Sequence, residues 1–159
     1  MLGIEPDKAE TSYGWIEPID SVFSEMANAV SQVKRFWEKP TFESATHLWL
    51  KGCLWNSFVM VGKVSTFLEI IKRELPDVYR MFEAVSVTFG TYAEKQTMLS
   101  LYAWINEINF SSEVLEKCTN ELFVLRVSDV TWSDWGEPQR VLGTLSNLGV
   151  QMDWMTAAA

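Results

Sequence analysis

The sequence predicts an α/β domain, with α+β as the near alternative, built on a mixed sheet with flanking helices. Three observations carry that prediction. Strand-like segments are interleaved with amphipathic stretches of about ten to fifteen residues, the alternation of layered folds rather than of bundles or sandwiches. Two dense apolar runs, CLWNSFVMV (Cys53 to Val61) and LFVLRV (Leu122 to Val127), are too short for most helices and read as buried strands. The composition, 48% hydrophobic and 21% charged over 159 residues, suits one ordinary domain with a continuous core.

Taken in order, the elements begin almost inside an apolar run at Leu2 and Ile4, with no capping or leader sequence before it. That stretch reads as a strand cut out of a longer chain, and as an exposed edge it would favour a homodimer or aggregation. Tyr13 to Pro18 and Val30 to Trp37 alternate apolar and polar residues as strands do. The polar segment between them, Asp20 to Asn28, is a hairpin arm or an irregular loop. Thr41 is placed to cap a helix carrying Phe42, Ala45, Leu48 and Trp49 at helical spacing, which Gly52 ends. Helices are expected over Lys63 to Leu75, from Pro76 through Asp77 to Val85, and over Tyr92 to Trp104. A short helix from Ser112 to Lys117 precedes the strand LFVLRV, and Pro138 opens a last helix through Leu148, closed by Gly149. Residues 1–148 therefore form the domain and 149–159 a tail.

Composition also narrows function. Thirteen basic against twenty-one acidic residues give a net charge of −8, and the longest basic cluster is a pair such as Lys34-Arg35, so nucleic acid is not an expected partner. No apolar run approaches the roughly twenty residues that span a bilayer, so no membrane partner is expected, and a cytoplasmic location is the simplest expectation. Cys53 and Cys118 lack the spacing of a disulfide framework or a zinc site. His47, the only histidine, sits mid-helix beside Leu48 and Trp49, where a side chain faces solvent or flanks a core more often than it catalyses.

Four short stretches hold candidate chemistry. In YGWIEP, Gly14 permits close approach of a backbone or a ligand, although a bulge explains it equally well. In RFWEKP, Glu38 and Lys39 set an acceptor beside a cation at a strand end, suited to a sugar hydroxyl and a phosphate; charged pairs at strand ends more often serve solubility. Asn56 is the polar exception in CLWNSFVMV, and burying its amide costs about 1–3 kcal/mol without partners. It is either bonded to a neighbouring turn or available to a ligand. Asp134 in TWSDWG stands between two indoles, where desolvation must be offset by donors, a cation or a metal ion; a turn cap and a metal ligand remain equal readings.

In this order and at these separations, the four stretches resemble the sugar-phosphate nucleotidyltransferases, particularly the mannose-1-phosphate guanylyltransferases. YGWIEP is similar to that family's GYGYIE, VKRFWEKP to VxxFxEKP, CLWNSFVM to YLWNSGMF and VTWSDWG to WSDxG, and the resemblance runs from Leu2 to about Leu148. It implies the C-terminal portion of a glycosyltransferase-A-like, Rossmann-type fold, and a reaction in which a sugar phosphate oxygen attacks the α-phosphate of a nucleoside triphosphate and releases pyrophosphate. Carried over by motif, Gly14 would offer its backbone to the sugar, Glu38 and Asn56 would bond its hydroxyls, Lys39 would hold its phosphate and Asp134 would ligate Mg²⁺. Two departures stand out. Ser111 in NFSSEVLEK replaces the Asp of the family's SIDYAVME, changing a substrate-binding position, and Phe58 replaces the glycine of WNSGM.

The family's GGxGTRLxPL loop has no counterpart among eight glycines scattered singly. The resemblance thus implies the sugar-binding half of such an enzyme, a truncation or one piece of a split protein. Hexose-1-phosphate is the implied partner of this half, with GTP or another NTP and Mg²⁺ engaged only together with an N-terminal half. The alternative function is a noncatalytic sugar-phosphate-binding or protein-interaction module.

Overall fold

The structure is a computed structural model that describes residues 1–19 and 30–150; the polar segment Asp20 to Asn28 and tail residues 151–159 lie outside the described residues. The chain divides into two compact units, Met1–Ser128 and Asp129–Ala159.

The first unit is a mixed sheet with flanking helices. Strands β1 (Leu2–Ile4), β2 (Trp15–Pro18), β3 (Val30–Trp37), β4 (Leu54–Asn56) and β5 (Phe123–Val127) pair in the order β1-β4-β2-β3-β5. β5 returns to β1, closing the ring. Every pairing is antiparallel except β1 with β5, where Leu2, Gly3 and Ile4 face Leu125, Arg126 and Val127. The expected exposed edge at Leu2 to Ile4 is therefore corrected: β1 is hydrogen-bonded on both sides, to β4 and to β5. Its second neighbour lies about 120 residues away in sequence, beyond the reach of local pattern. Gly3 allows this closeness, since a Cβ there would lie 2.6 Å from Val124 Cγ2 and 2.8 Å from Leu54 Cδ1.

Helix α1 (Phe42–Leu50) starts as the sequence predicts, with Thr41 Oγ1 accepting the Ser44 N–H, and it ends where Gly52 turns left-handed at φ 78°. It buries Ala45 and Leu48, while His47 lies on its exposed side. Helices α2 (Val64–Glu74), α3 (Pro76–Ser86) and α4 (Glu94–Trp104) follow within a residue or two of the expected spans. The short helix near Ser112 is a π-type turn over Ser111–Leu115. The core gathers Ile16, Val33, Phe36, Leu54, Leu115 and Val124, and a second cluster joins Ile70 of α2 to Val114 and Cys118. Both cysteines are free thiols, and burial pushes Cys53 up to about 12.

One expected strand is shorter than its apolar run. Of Cys53 to Val61 only Leu54–Asn56 is strand, because Phe58 adopts φ 61° and breaks the extended backbone two residues on. In the second unit helix α5 (Pro138–Asn147) begins at the proline.

One buried charge ties the first unit together. Glu17 of β2 is 5% exposed, and its Oε1 accepts from Lys51 at 2.7 Å and Lys34 at 3.0 Å. Burial alone would raise its pKa, but the hydrogen bonds and charges of Lys51 and Lys34 outweigh burial and hold it below its ordinary value of 4.5. A depressed carboxylate contributes stability that is complete above the unfolded-state pKa and is lost as pH falls through the folded one. Urea unfolding at stepped pH is therefore expected to show stability falling as the medium is acidified below about pH 4.5. Glu17→Gln should flatten that limb and cost about 1–2 kcal/mol at neutral pH, modest because both lysines are half exposed. An unchanged acid limb in Glu17→Gln would assign the effect to other carboxylates.

Candidate functional site

Three of the residues singled out in the sequence meet at one place in the first unit. Gly14 precedes β2, Glu38 follows β3 and Asn56 ends β4, so the antiparallel pairing of β2 with β3 and with β4 brings them side by side. The Asn56 N–H donates to the Gly14 carbonyl at 2.8 Å. A Cβ on Gly14 would lie 2.7 Å from Phe36 Cζ and 3.3 Å from Glu38 Oε2, so the missing side chain lets the Phe36 ring and the Glu38 carboxylate pack directly against this backbone. Asn56 is 7% exposed and its Oδ1 accepts the Phe58 N–H at 3.1 Å, a turn bond of the kind the first of its two readings describes. Among the described residues its Nδ2 has no acceptor.

Lys39 is held in the left-handed region at φ 44°, an uncommon conformation for a long side chain. It is exposed, and among the described residues it forms no ion pair. Its exposed ammonium is able to neutralise an anion.

The segment before β5 completes the cluster. Asn109 Nδ2 donates to Glu38 Oε1 at 3.2 Å, and Asn109 Oδ1 accepts the Ser111 N–H at 2.9 Å. The Glu38 N–H in turn donates to Glu116 Oε1 at 3.1 Å. Ser111, 5% exposed, thus joins the others through Asn109 rather than by direct contact. Sequence reasoning missed Asn109 and Glu116. The signal available for the first was an Asn two residues before a Ser-Ser pair, the composition of a side-chain-capped turn.

Phe58, at the family's glycine position, explains that glycine physically. Its φ of 61° suits glycine and strains a residue with a Cβ, while the ring packs edge-on against Phe110 at 6.2 Å.

Asp134 belongs to the second unit. Its Oδ1 accepts the Gly136 N–H at 2.9 Å and Arg140 Nη1 at 2.7 Å, and the turn around it is completed by Trp135 at φ 51°. The Trp135 indole N–H donates to Thr144 Oγ1 of α5 at 3.2 Å. Asp134 is exposed, so, contrary to the desolvation expected between two indoles, water as well as these donors and the Arg140 cation meets its charge. No group of three or more His, Cys, Asp and Glu side chains that could hold a metal ion occurs among the described residues. One carboxylate engaged by an arginine does not by itself fit Mg²⁺, which takes one or two carboxylates with waters and substrate phosphates.

Comparison with known proteins agrees with the motifs. The chain is 29% identical over 153 residues to mannose-1-phosphate guanylyltransferase 2 of Escherichia coli O157:H7, covering 87% of this chain and 29% of that protein. It is 36% identical over 80 residues to the alginate biosynthesis protein AlgA of Pseudomonas syringae pv. tomato, half of this chain and 16% of that one. Among solved structures, one titled mannose-1-phosphate geranyltransferase, from Thermus thermophilus, superposes with a TM-score of 0.66 at 26% identity, over 95% of this chain and 40% of the other. A mannose-6-phosphate isomerase from Helicobacter pylori shares the fold at a TM-score of 0.61 and 21% identity, over 84% of this chain and 50% of the other. No protein-family model matches the chain. Among the described residues no helix is long and apolar enough to cross a membrane. The chain is thus related in sequence to mannose-1-phosphate guanylyltransferases and in fold to a mannose-1-phosphate transferase, as a stretch spanning less than a third of the length of these curated relatives.

Proposed function

We propose that this chain is the C-terminal, sugar-phosphate-binding portion of a nucleotidyltransferase that joins a hexose-1-phosphate to a nucleoside triphosphate, with mannose-1-phosphate and GTP as the substrates. The carrying observation is the meeting of Gly14, Glu38 and Asn56, which sets a bare backbone, a carboxylate and an amide side chain close together, with Lys39 next to Glu38 in the chain. In this reading Glu38 and Asn56 bond sugar hydroxyls, Gly14 lets the ring approach the backbone, and Lys39 neutralises the sugar's phosphate. These groups align the phosphate oxygen for attack, and alignment with charge neutralisation makes up most of phosphoryl-transfer catalysis. Asp134, held by Arg140 in this chain, would hold Mg²⁺ only together with carboxylates supplied from outside it.

The glycine-rich loop that would cradle a triphosphate is not in this sequence, so the chain alone is expected to bind without turnover. Calorimetry should give saturable binding of mannose-1-phosphate, weakened by Asn56→Ala, with no sugar nucleotide formed from GTP. Absence of binding would overturn the sugar-phosphate role; turnover by the chain alone would overturn the assignment of the nucleotide site elsewhere. The second reading, an interaction module that uses an exposed sheet edge, loses its basis at β1, which is paired on both sides.

A further inference from the structure

We propose that Asn109 is a positioning residue that orients Glu38 toward the sugar, an inference that rests on the sugar-phosphate reading. The orientation of its amide is determined by its neighbours. Oδ1 accepts two backbone N–H groups, from Ser111 at 2.9 Å and Ser112 at 3.4 Å, so the amide nitrogen must face the other way. There it meets Glu38 Oε1 at 3.2 Å. The reversed amide would set its oxygen against a carboxylate and its NH₂ against two donors, so both sides select the same orientation.

The consequence falls on Glu38. Its main chain is held by Glu116, which accepts its N–H at 3.1 Å, and one carboxylate oxygen is held by Asn109. Both tethers come from one short segment around the π-type turn Ser111–Leu115. The other oxygen, Oε2, lies beside Gly14 and accepts no hydrogen bond among the described residues. One oxygen is anchored and the other is presented to the ligand, which removes rotamer freedom that binding would otherwise have to freeze. The position also requires a neutral donor. A carboxylate there would still accept from Ser111 and Ser112 but would repel Glu38.

The chemistry defines the test. Asn109→Ser and Asn109→Asp both keep an acceptor for the turn; the serine hydroxyl is one atom shorter than the amide that reaches Glu38 at 3.2 Å, and the Asp carboxylate has no donor. Each variant, with native circular dichroism, is expected to shift the side-chain carboxyl carbon resonance of Glu38. Mannose-1-phosphate should bind Asn109→Ser about fivefold more weakly and Asn109→Asp more than about tenfold more weakly. In a Glu38→Gln background Asn109→Ser should have little further effect, a coupling that a purely structural role would not produce. An unmoved Glu38 resonance, or a moved resonance with unchanged affinity, overturns the inference. Failure of the unmutated chain to bind mannose-1-phosphate overturns the sugar-phosphate reading instead, and the resonance then decides by itself whether Asn109 orients Glu38.

Discussion

Trp15→Ala is expected to lower stability by about 3–5 kcal/mol, a large part of the roughly 5–15 kcal/mol that holds an ordinary domain together. Trp15 is fully buried on β2, where it is paired across the sheet with Trp37 of β3 and Trp55 of β4. Its ring lies 6.2 Å from that of Trp55 at 83°, an edge-to-face contact that adds to the area it buries. Its indole N–H also donates to the Glu10 carbonyl at 2.7 Å, whereas those of Trp37 and Trp55 are buried without a partner among the described residues. Truncation at Trp15 therefore removes packing and a satisfied hydrogen bond together. Urea denaturation checks the figure, with Trp15→Phe as the milder control that keeps a ring and loses the N–H. A loss under about 1 kcal/mol for the alanine variant would show that the β2–β3–β4 junction is not the structural centre of the first unit.

What could be read in the sequence was what local chemistry controls. The alternation in VSQVKRFW marks β3 at its observed bounds, Thr41 and Gly52 bracket α1, and Pro138 opens α5, because caps, prolines and two-residue periodicity act within a few residues of themselves. Long-range pairing was hidden. Nothing near Leu2 announces that β5 will lie parallel beside it, so a twice-paired strand reads as an edge. Backbone strain was hidden as well. CLWNSFVMV looks like one continuous strand until Phe58 takes a left-handed conformation that its residue type disfavours. The candidate site divides along the same line. Gly14 and Asn56 stand out as residue types unusual in strand-like stretches and Glu38 stands in a charged pair at a strand end, whereas Asn109 and Glu116 occupy a polar stretch where such residues are ordinary. Their significance comes only from the tertiary contacts to Glu38. Asp134 carries the opposite lesson, since the sequence made it conspicuous and its compensating cation, Arg140, lies six residues away on a helix whose facing could not be read locally.

Gly14→Ala is expected to weaken mannose-1-phosphate binding more than about tenfold and to cost about 1–3 kcal/mol of stability. The two effects have separable causes. The added methyl would stand 2.7 Å from Cζ and 3.2 Å from Cε1 of Phe36, a ring only 3% exposed and packed within the core, so the ring cannot swing away and the backbone must shift. That shift strains the 2.8 Å bond from the Asn56 N–H to the Gly14 carbonyl, which ties two of the proposed sugar contacts together. The same methyl would lie 3.3 Å from Glu38 Oε2 and would crowd the carboxylate out of its place beside Gly14. Shrinking the ring in Gly14→Ala/Phe36→Leu should therefore recover part of the lost stability without recovering affinity. Gly143→Ala is the control: nothing lies within 4 Å of a Cβ there, and a helical Gly→Ala change should raise stability by up to about 1 kcal/mol while leaving binding unchanged. Calorimetry and urea unfolding on these variants and the unmutated chain decide the matter. If affinity returns together with stability in the double variant, Gly14 serves packing alone and its backbone is not against the sugar.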